Sequence, residues 1–183
     1  DALAKASYTV LAPIKEGEIT TRFNVVEVEG EGNKDGVKIP RLTTRPLKEL
    51  FFPEGESLLS FEYSEEPDAG VRVSGMPIHY DISPRVALGV RPCDARALVL
   101  LDNVFASDDY EDPYYMLRRE KTAIMTFACS LPGSACFCKS TGGGPYDETG
   151  SDVLFMESGD SYLIKIISDK GKRLMQEVFQ LPE

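Results

Sequence analysis

The chain has 183 residues, 42% of them hydrophobic and 27% charged, a balance that excludes a disordered or fibrous protein and leaves enough chain for one well-buried core. Thirty acidic against twenty basic side chains give a formal charge of −10, which repels a phosphate backbone or an anionic bilayer surface and argues against nucleic acid as a partner. No apolar run approaches the roughly eighteen residues needed to span a bilayer, so no membrane insertion is expected; "DALAKASYTV" lacks the order of a signal peptide, and the chain reads as cytoplasmic.

In chain order, "SYTVLAPI" and "EITTRFNVVEVEGEGNKDG" predict an N-terminal β-hairpin or meander, ended by a cluster of Gly, Asn and Asp. "RPLKELFFPEGESLLSFEY" predicts a short helix or turn from Pro46 to Phe51, a turn from Pro53 to Glu56 and a strand from Leu58 to Tyr63. "SEEPDAGVRVSGMP" reads as an exposed loop. "RVALGV", Arg85 to Val90, is a nearly unbroken apolar run of strand length, the pattern of a strand buried on both faces. Asp94 is placed to cap a helix from Ala95 to Phe105, in which Leu98, Leu101, Val104 and Phe105 recur at helical spacing.

Asp112 and Pro113 open a second short helix, and "TAIMTFA", Thr122 to Ala128, is a second buried-strand candidate. "DVLFMES" and "SYLIKII" form a hairpin turned at Gly159 and Asp160, and "DKGKRLMQEVFQL" a closing helix with Leu174, Val178 and Leu181 on one face. Strand and helix alternate in the middle of the chain, so the expected fold is α/β: residues 1–183 as a single domain with a mixed β-sheet and a few helices.

The four cysteines are spaced C-x35-C-x6-C-x-C, at Cys93, Cys129, Cys136 and Cys138. Cys93 and Cys129 each follow a predicted buried strand, and the ends of such strands are where sites assemble in open α/β sheets. A disulfide is disfavoured by a reducing compartment and by the closeness of Cys136 to Cys138. Unrelated core thiols fit poorly with three cysteines in ten residues among Pro and Gly. Zinc needs sulfurs about 3.8 Å apart and usually takes them from C-x2-C knuckles, whereas an extended "CFC" holds its α-carbons about 7 Å apart. That spacing favours an iron–sulfur cluster, with zinc as the alternative, and the start of the helix beside Cys93 offers partial positive charge to an anionic core.

"GVRPCDARALVLLDNVF", "DPYYMLRREK", "ACSLPGSACFC" and "GDSYLIKI", in this order, resemble the N-terminal part of the beta subunit of soluble nickel–iron hydrogenases (sulfhydrogenases) and of its counterpart in anaerobic sulfite reductase. The resemblance runs from about "LKELFFPEGESLLSFE" to "GKRLM" and carries little of the first forty residues. It implies one [4Fe–4S] cluster held by Cys93, Cys129, Cys136 and Cys138, in a non-catalytic electron-transfer subunit working beside flavin, hydrogenase or sulfite reductase subunits. Family members continue into a segment with two C-x2-C-x2-C sets that is missing here. The chain therefore reads as the first domain of a longer subunit or as a shortened relative.

Asp94 has a second conceivable role beside the cluster, but capping accounts for it. Arg91, Arg118 and Arg119 are placed to face the cluster or a partner, or to pair with the surplus of surface carboxylates, which is the simpler expectation. "TGGGP", with Gly142 to Gly144, lacks a P-loop lysine and a following helix, so a flexible connector is expected rather than a phosphate cradle or a flavin- or nucleotide-binding loop. His79, the single histidine, has no catalytic companions in the sequence and is expected to be structural.

Overall fold

A computed structural model describes residues 3, 7–16, 20–26, 43–56, 61–63, 71–73 and 82–180. Strands β1 (Thr9–Glu16) and β2 (Thr20–Val25) pair antiparallel, as the N-terminal pattern predicts, and β1 then runs parallel to β5 (Arg85–Val90). A 3-10 turn at Leu47–Leu50 follows β2, and β3 (Phe61–Tyr63) pairs with β4 (Val71–Val73) in a separate ribbon. β4 corrects the reading of "SEEPDAGVRVSGMP" as a loop: "VRV" has the alternating, β-branched composition of a strand, but at three residues it is too short to stand out from its polar flanks. His79, residues 57–60 and Leu181 lie outside the described residues.

Helix α1 (Pro92–Phe105) follows β5, the short ribbon β6 (Ala106–Ser107) and β7 (Tyr110–Glu111) follows α1, and helix α2 (Pro113–Lys121) leads into β8 (Thr122–Phe127). β9 (Val153–Ser158) and β10 (Ser161–Ile166) form the expected hairpin about Gly159, and helix α3 (Asp169–Phe179) follows them. The main sheet has six strands in the order β10-β9-β8-β5-β1-β2. Its four middle strands are parallel to one another and its two outer pairs antiparallel, so the sheet is mixed, as expected.

Period-two alternation in the central strands divides the core between two faces. Ala87, Val90 and Ile124 pack with Ala95 and Leu98 of α1, Tyr115 of α2 and Leu47 and Phe51. Val86, Ala123 and Met125 face the other way, with Val153 and with Leu174 and Met175 of α3. Helices thus cover both faces of β5 and β8, which is why these two strands read as nearly continuous apolar runs.

The helix ends follow local chemistry. Asp112 caps α2 by accepting from the backbone N–H groups of Tyr114 and Tyr115, both at 2.9 Å, and Pro113 fills the first helical position, where no N–H is needed. Ser168 caps α3 by accepting from the Gly171 N–H at 3.0 Å. For α1 the expected boundary shifts: Arg91 is the cap residue, Pro92 the first helical residue, and Asp94 lies within the first turn rather than capping it. The pre-set φ of Pro92 starts the helix earlier than the Asp94 carboxylate would.

Candidate metal centre

β5 and β8 are adjacent and parallel, in register from Arg85 opposite Thr122 to Val90 opposite Thr126, with a bulge between Leu88 and Val90. Their carboxyl ends therefore lie side by side. From that edge β5 leads through Arg91 and Pro92 into Cys93, which sits in the first turn of α1, and β8 leads through Ala128 into Cys129. The long connection from Cys129 to Asp152 holds Cys136 and Cys138 and then returns to β9, which starts beside Met125 of β8.

This connection is tied down along its length. Cys129 N–H donates to the Pro145 carbonyl at 2.9 Å, fastening the start of the segment to the far side of its glycines. Cys136 N–H closes a turn onto the Gly133 carbonyl at 3.1 Å, and Gly133 N–H donates back to the Cys136 sulfur at 3.1 Å. Cys138 opens a 3-10 turn, Cys138–Thr141, which Gly142 ends in the left-handed region at φ 77°. Gly143 N–H returns to the Cys138 carbonyl at 2.9 Å.

Two sequence expectations change here. Phe137 has φ −131° and ψ 18°, so "CFC" bends instead of running extended, and its spacing no longer discriminates against zinc. Nor is "TGGGP" a flexible connector. Arg96, three residues after Cys93 on α1, donates to the Asp147 carboxylate at 3.1 Å and to the Thr141 carbonyl at 3.4 Å, spanning the glycines. The Gly142 and Gly143 amides are engaged within the turn, on Lys139 and Cys138 carbonyls, so they do not form a phosphate cradle.

All four cysteines are free thiols; Cys93 and Cys136 are exposed, and Cys129 and Cys138 partly so. Although Cys93 reaches the surface, crowding around its sulfur pushes the thiol up to about 11. The Asp94 carboxylate adds to this, the Asp94 N–H works against it, and Cys138 lies close enough to push in the same upward direction. Burial also raises the Asp94 carboxyl above the usual carboxylate range, against the Arg91 charge beside it. Among the described residues, no three cysteine, histidine or carboxylate side chains are gathered tightly enough to hold a metal ion. The donor set nevertheless suits a thiolate-bound metal in its chemistry: four free sulfurs within reach of solvent, one of them receiving a backbone N–H and another lying at a helix start.

Arg118 and Arg119 take the simpler of their expected roles. Arg118 pairs with Glu56 and donates to the Phe51 carbonyl, and Arg119 pairs with Asp102 at 3.1 Å. Asp102 also accepts from the Tyr115 hydroxyl at 2.6 Å, so both arginines hold α2 against its neighbours. Sequence reading missed Arg96 and Asp147. The available signal was local: Asp147 accepts from the Thr149 N–H at 3.0 Å, a turn legible in "DET", and Arg96 lies one helical turn from Cys93.

Fold and site together define an α/β domain whose four cysteines lie on the segments leaving the carboxyl ends of two central strands. Sulfhydrogenase 2 subunit beta of Pyrococcus furiosus is 36% identical to this chain over 92 residues, half of the chain. The chain is thus related to a hydrogenase beta subunit, in agreement with the resemblance its motifs carry. The match spans 27% of that relative's length. No protein-family model matches the chain, and no solved structure gives a significant match. No helix among the described residues is long and apolar enough to cross a membrane.

Proposed function

We propose that this chain is a non-catalytic electron-transfer domain of a cytoplasmic, multisubunit redox enzyme of the hydrogenase or sulfite reductase type, holding one [4Fe–4S] cluster through Cys93, Cys129, Cys136 and Cys138. Its partners in this reading are other redox subunits, among them a flavin subunit, and the chain corresponds to the first domain of a longer subunit. The observation that carries the reading is the parallel pairing of β5 with β8, which brings the segments bearing Cys93 and Cys129 to one edge of the sheet. Kinship with a sulfhydrogenase beta subunit supports the redox assignment.

Such a cluster supplies one-electron transfer when bound; the protein supplies ligands, polarity and access. Cys93 gives up its proton on ligation, a loss that the amide dipoles of the first turn of α1 favour. The Gly133 N–H, already on the Cys136 sulfur, stabilises negative charge there.

A zinc-stabilised subunit-interaction module is the second reading, and the bend at Phe137 favours it by removing the spacing argument against zinc. Anaerobic purification with iron, sulfide and zinc analysis separates the two. About four irons and a paramagnetic signal on reduction are expected; zinc in stoichiometric amount without iron overturns the cluster. Full iron retention by Cys136→Ala would refute the ligand assignment.

A further inference from the structure

The glycine-containing segment after Cys138 is fixed by a side chain of the helix that carries Cys93. Arg96 projects from α1 one turn beyond Cys93 and reaches across to the segment, with Nη1 3.1 Å from Asp147 Oδ2 and Nη2 3.4 Å from the Thr141 carbonyl. These two contacts lie on either side of Gly142, Gly143 and Gly144. Gly143 leaves room that the pair uses: a β-carbon there would lie 3.1 Å from Asp147 Oδ2 and 3.3 Å from Arg96 Cδ, whereas one on Gly142 would lie at an ordinary contact distance of 3.5 Å from Arg96 Nη2. Asp147 is itself held by the Thr149 N–H at 3.0 Å, and its side chain is only 14% exposed.

The segment so fixed is the one that sets Cys138 and Cys129. Gly143 N–H bonds the Cys138 carbonyl, and the Pro145 carbonyl receives the Cys129 N–H, so two of the candidate ligands are joined by backbone to the stretch between Thr141 and Asp147. Cys93, on the helix from which Arg96 projects, is the third. Together with the packing of Gly150 on the Ala95 carbonyl, this link joins α1 to the segment independently of any metal the thiols bind.

We propose that Arg96 and Asp147 form a clasp that holds the backbone segments bearing Cys138 and Cys129 against the helix bearing Cys93 before a metal gathers the thiols, making Arg96 a positioning residue of the metal centre. The proposal rests on the functional reading above and extends it to residues that touch no metal. Holding ligands in place beforehand lowers the ordering cost of binding, and substitutions in such supporting contacts weaken metal retention by about 10–100-fold.

The test uses the full chain with Arg96→Gln, Arg96→Lys and Asp147→Asn, each iron-loaded anaerobically, and two readouts. The first is the rate of iron release to a ferrous chelator; the second is amide hydrogen exchange over residues 141–147 in the reduced, metal-free protein. Arg96→Gln and Asp147→Asn are expected to release iron at least about tenfold faster and to exchange faster in the loop, with Arg96→Lys between them and the wild type. Should Arg96→Gln lower the melting point of the whole chain, Asp147→Asn decides. Unchanged iron release with faster loop exchange overturns the positioning role, and unchanged exchange in both variants overturns the clasp itself. A wild-type chain that takes up no iron overturns the functional reading and the positioning role with it, an outcome visible before any substitution is made.

Discussion

Gly150 lies directly against the carbonyl of Ala95: a β-carbon on it would sit 2.2 Å from that oxygen and 3.0 Å from Cγ2 of Val99. Its φ of 79° is in the left-handed region as well, so two independent features reserve the position for glycine. Through this contact the returning segment lies flush on α1, two residues from the helix position that holds Cys93. Gly150→Ala is predicted to push the segment off the helix and to lower stability by about 3 kcal/mol, from backbone strain and overpacking together. Urea unfolding measures this, and a midpoint equal to that of the wild type would show that the contact is not made.

The Cys93 thiol is pushed up to about 11, first by crowding of its sulfur and then by the Asp94 carboxylate. At neutral pH it is therefore protonated in the metal-free protein, despite its exposure, and its thiolate fraction grows about tenfold per pH unit below that value. Alkylation of Cys93, followed by peptide mass spectrometry between about pH 8 and pH 10, should rise in that proportion. Asp94→Asn should speed it at every pH, since a neutral side chain no longer opposes the thiolate. A Cys93 rate that levels off below about pH 9 would contradict this account.

Burial works against ionisation of Asp147, but the Thr149 N–H and hydroxyl and the Arg96 guanidinium outweigh it and hold the carboxyl below its ordinary value of 3.8. A carboxyl lowered on folding stabilises the folded state above its unfolded pKa, and that contribution fades as pH falls through the folded value. The loop should accordingly stay closed from neutral pH down to about pH 4 and loosen below it. Solvent reaches the arginine side of the clasp and screens the pair, so its contribution is about 1 kcal/mol. Limited proteolysis between Thr141 and Asp147 reads the effect. Asp147→Asn should be cut faster at neutral pH and show less change on acidification.

Asp152, 7% exposed, accepts from the Ile124 N–H at 2.7 Å and from the Ser168 hydroxyl, which in turn caps α3. One carboxylate thus serves both the central strand β8 and the last helix. Asp152→Ala should cost about 3 kcal/mol, because the Ile124 donor is left unpaired in the core and the cap loses its anchor. Asp152→Asn keeps an acceptor and should cost less. Thermal unfolding of the pair checks the order.

The sequence was most readable where a segment's environment is uniform. "RVALGV" and "TAIMTF" are mostly apolar because helices cover both faces, and Asp112-Pro113 starts α2 because cap and first helical residue agree. It was less readable where two local signals compete, as at α1, where Pro92 overrides Asp94 as the marker of the helix start. Of the candidate site, the placement of Cys93 and Cys129 just beyond two strand ends was legible, since parallel neighbours deliver both to one edge. The bend at Phe137 and the reach of Arg96 to Asp147 depend on contacts between residues far apart in the chain, and neither periodicity nor spacing encodes them.

The strand order carries a kinetic consequence. β5, β8, β9 and β10 lie side by side in the order in which they occur along the chain, whereas β1 must find β5 across the whole stretch from β2 to Pro84. Closing the longer loop costs more entropy before any contact rewards it, so the half that bears the cysteines should assemble first and receive the N-terminal hairpin afterwards. Pulse-labelled hydrogen exchange during refolding should find the β8 amides protected ahead of those in β1; simultaneous protection would mean that the nucleus already spans both halves.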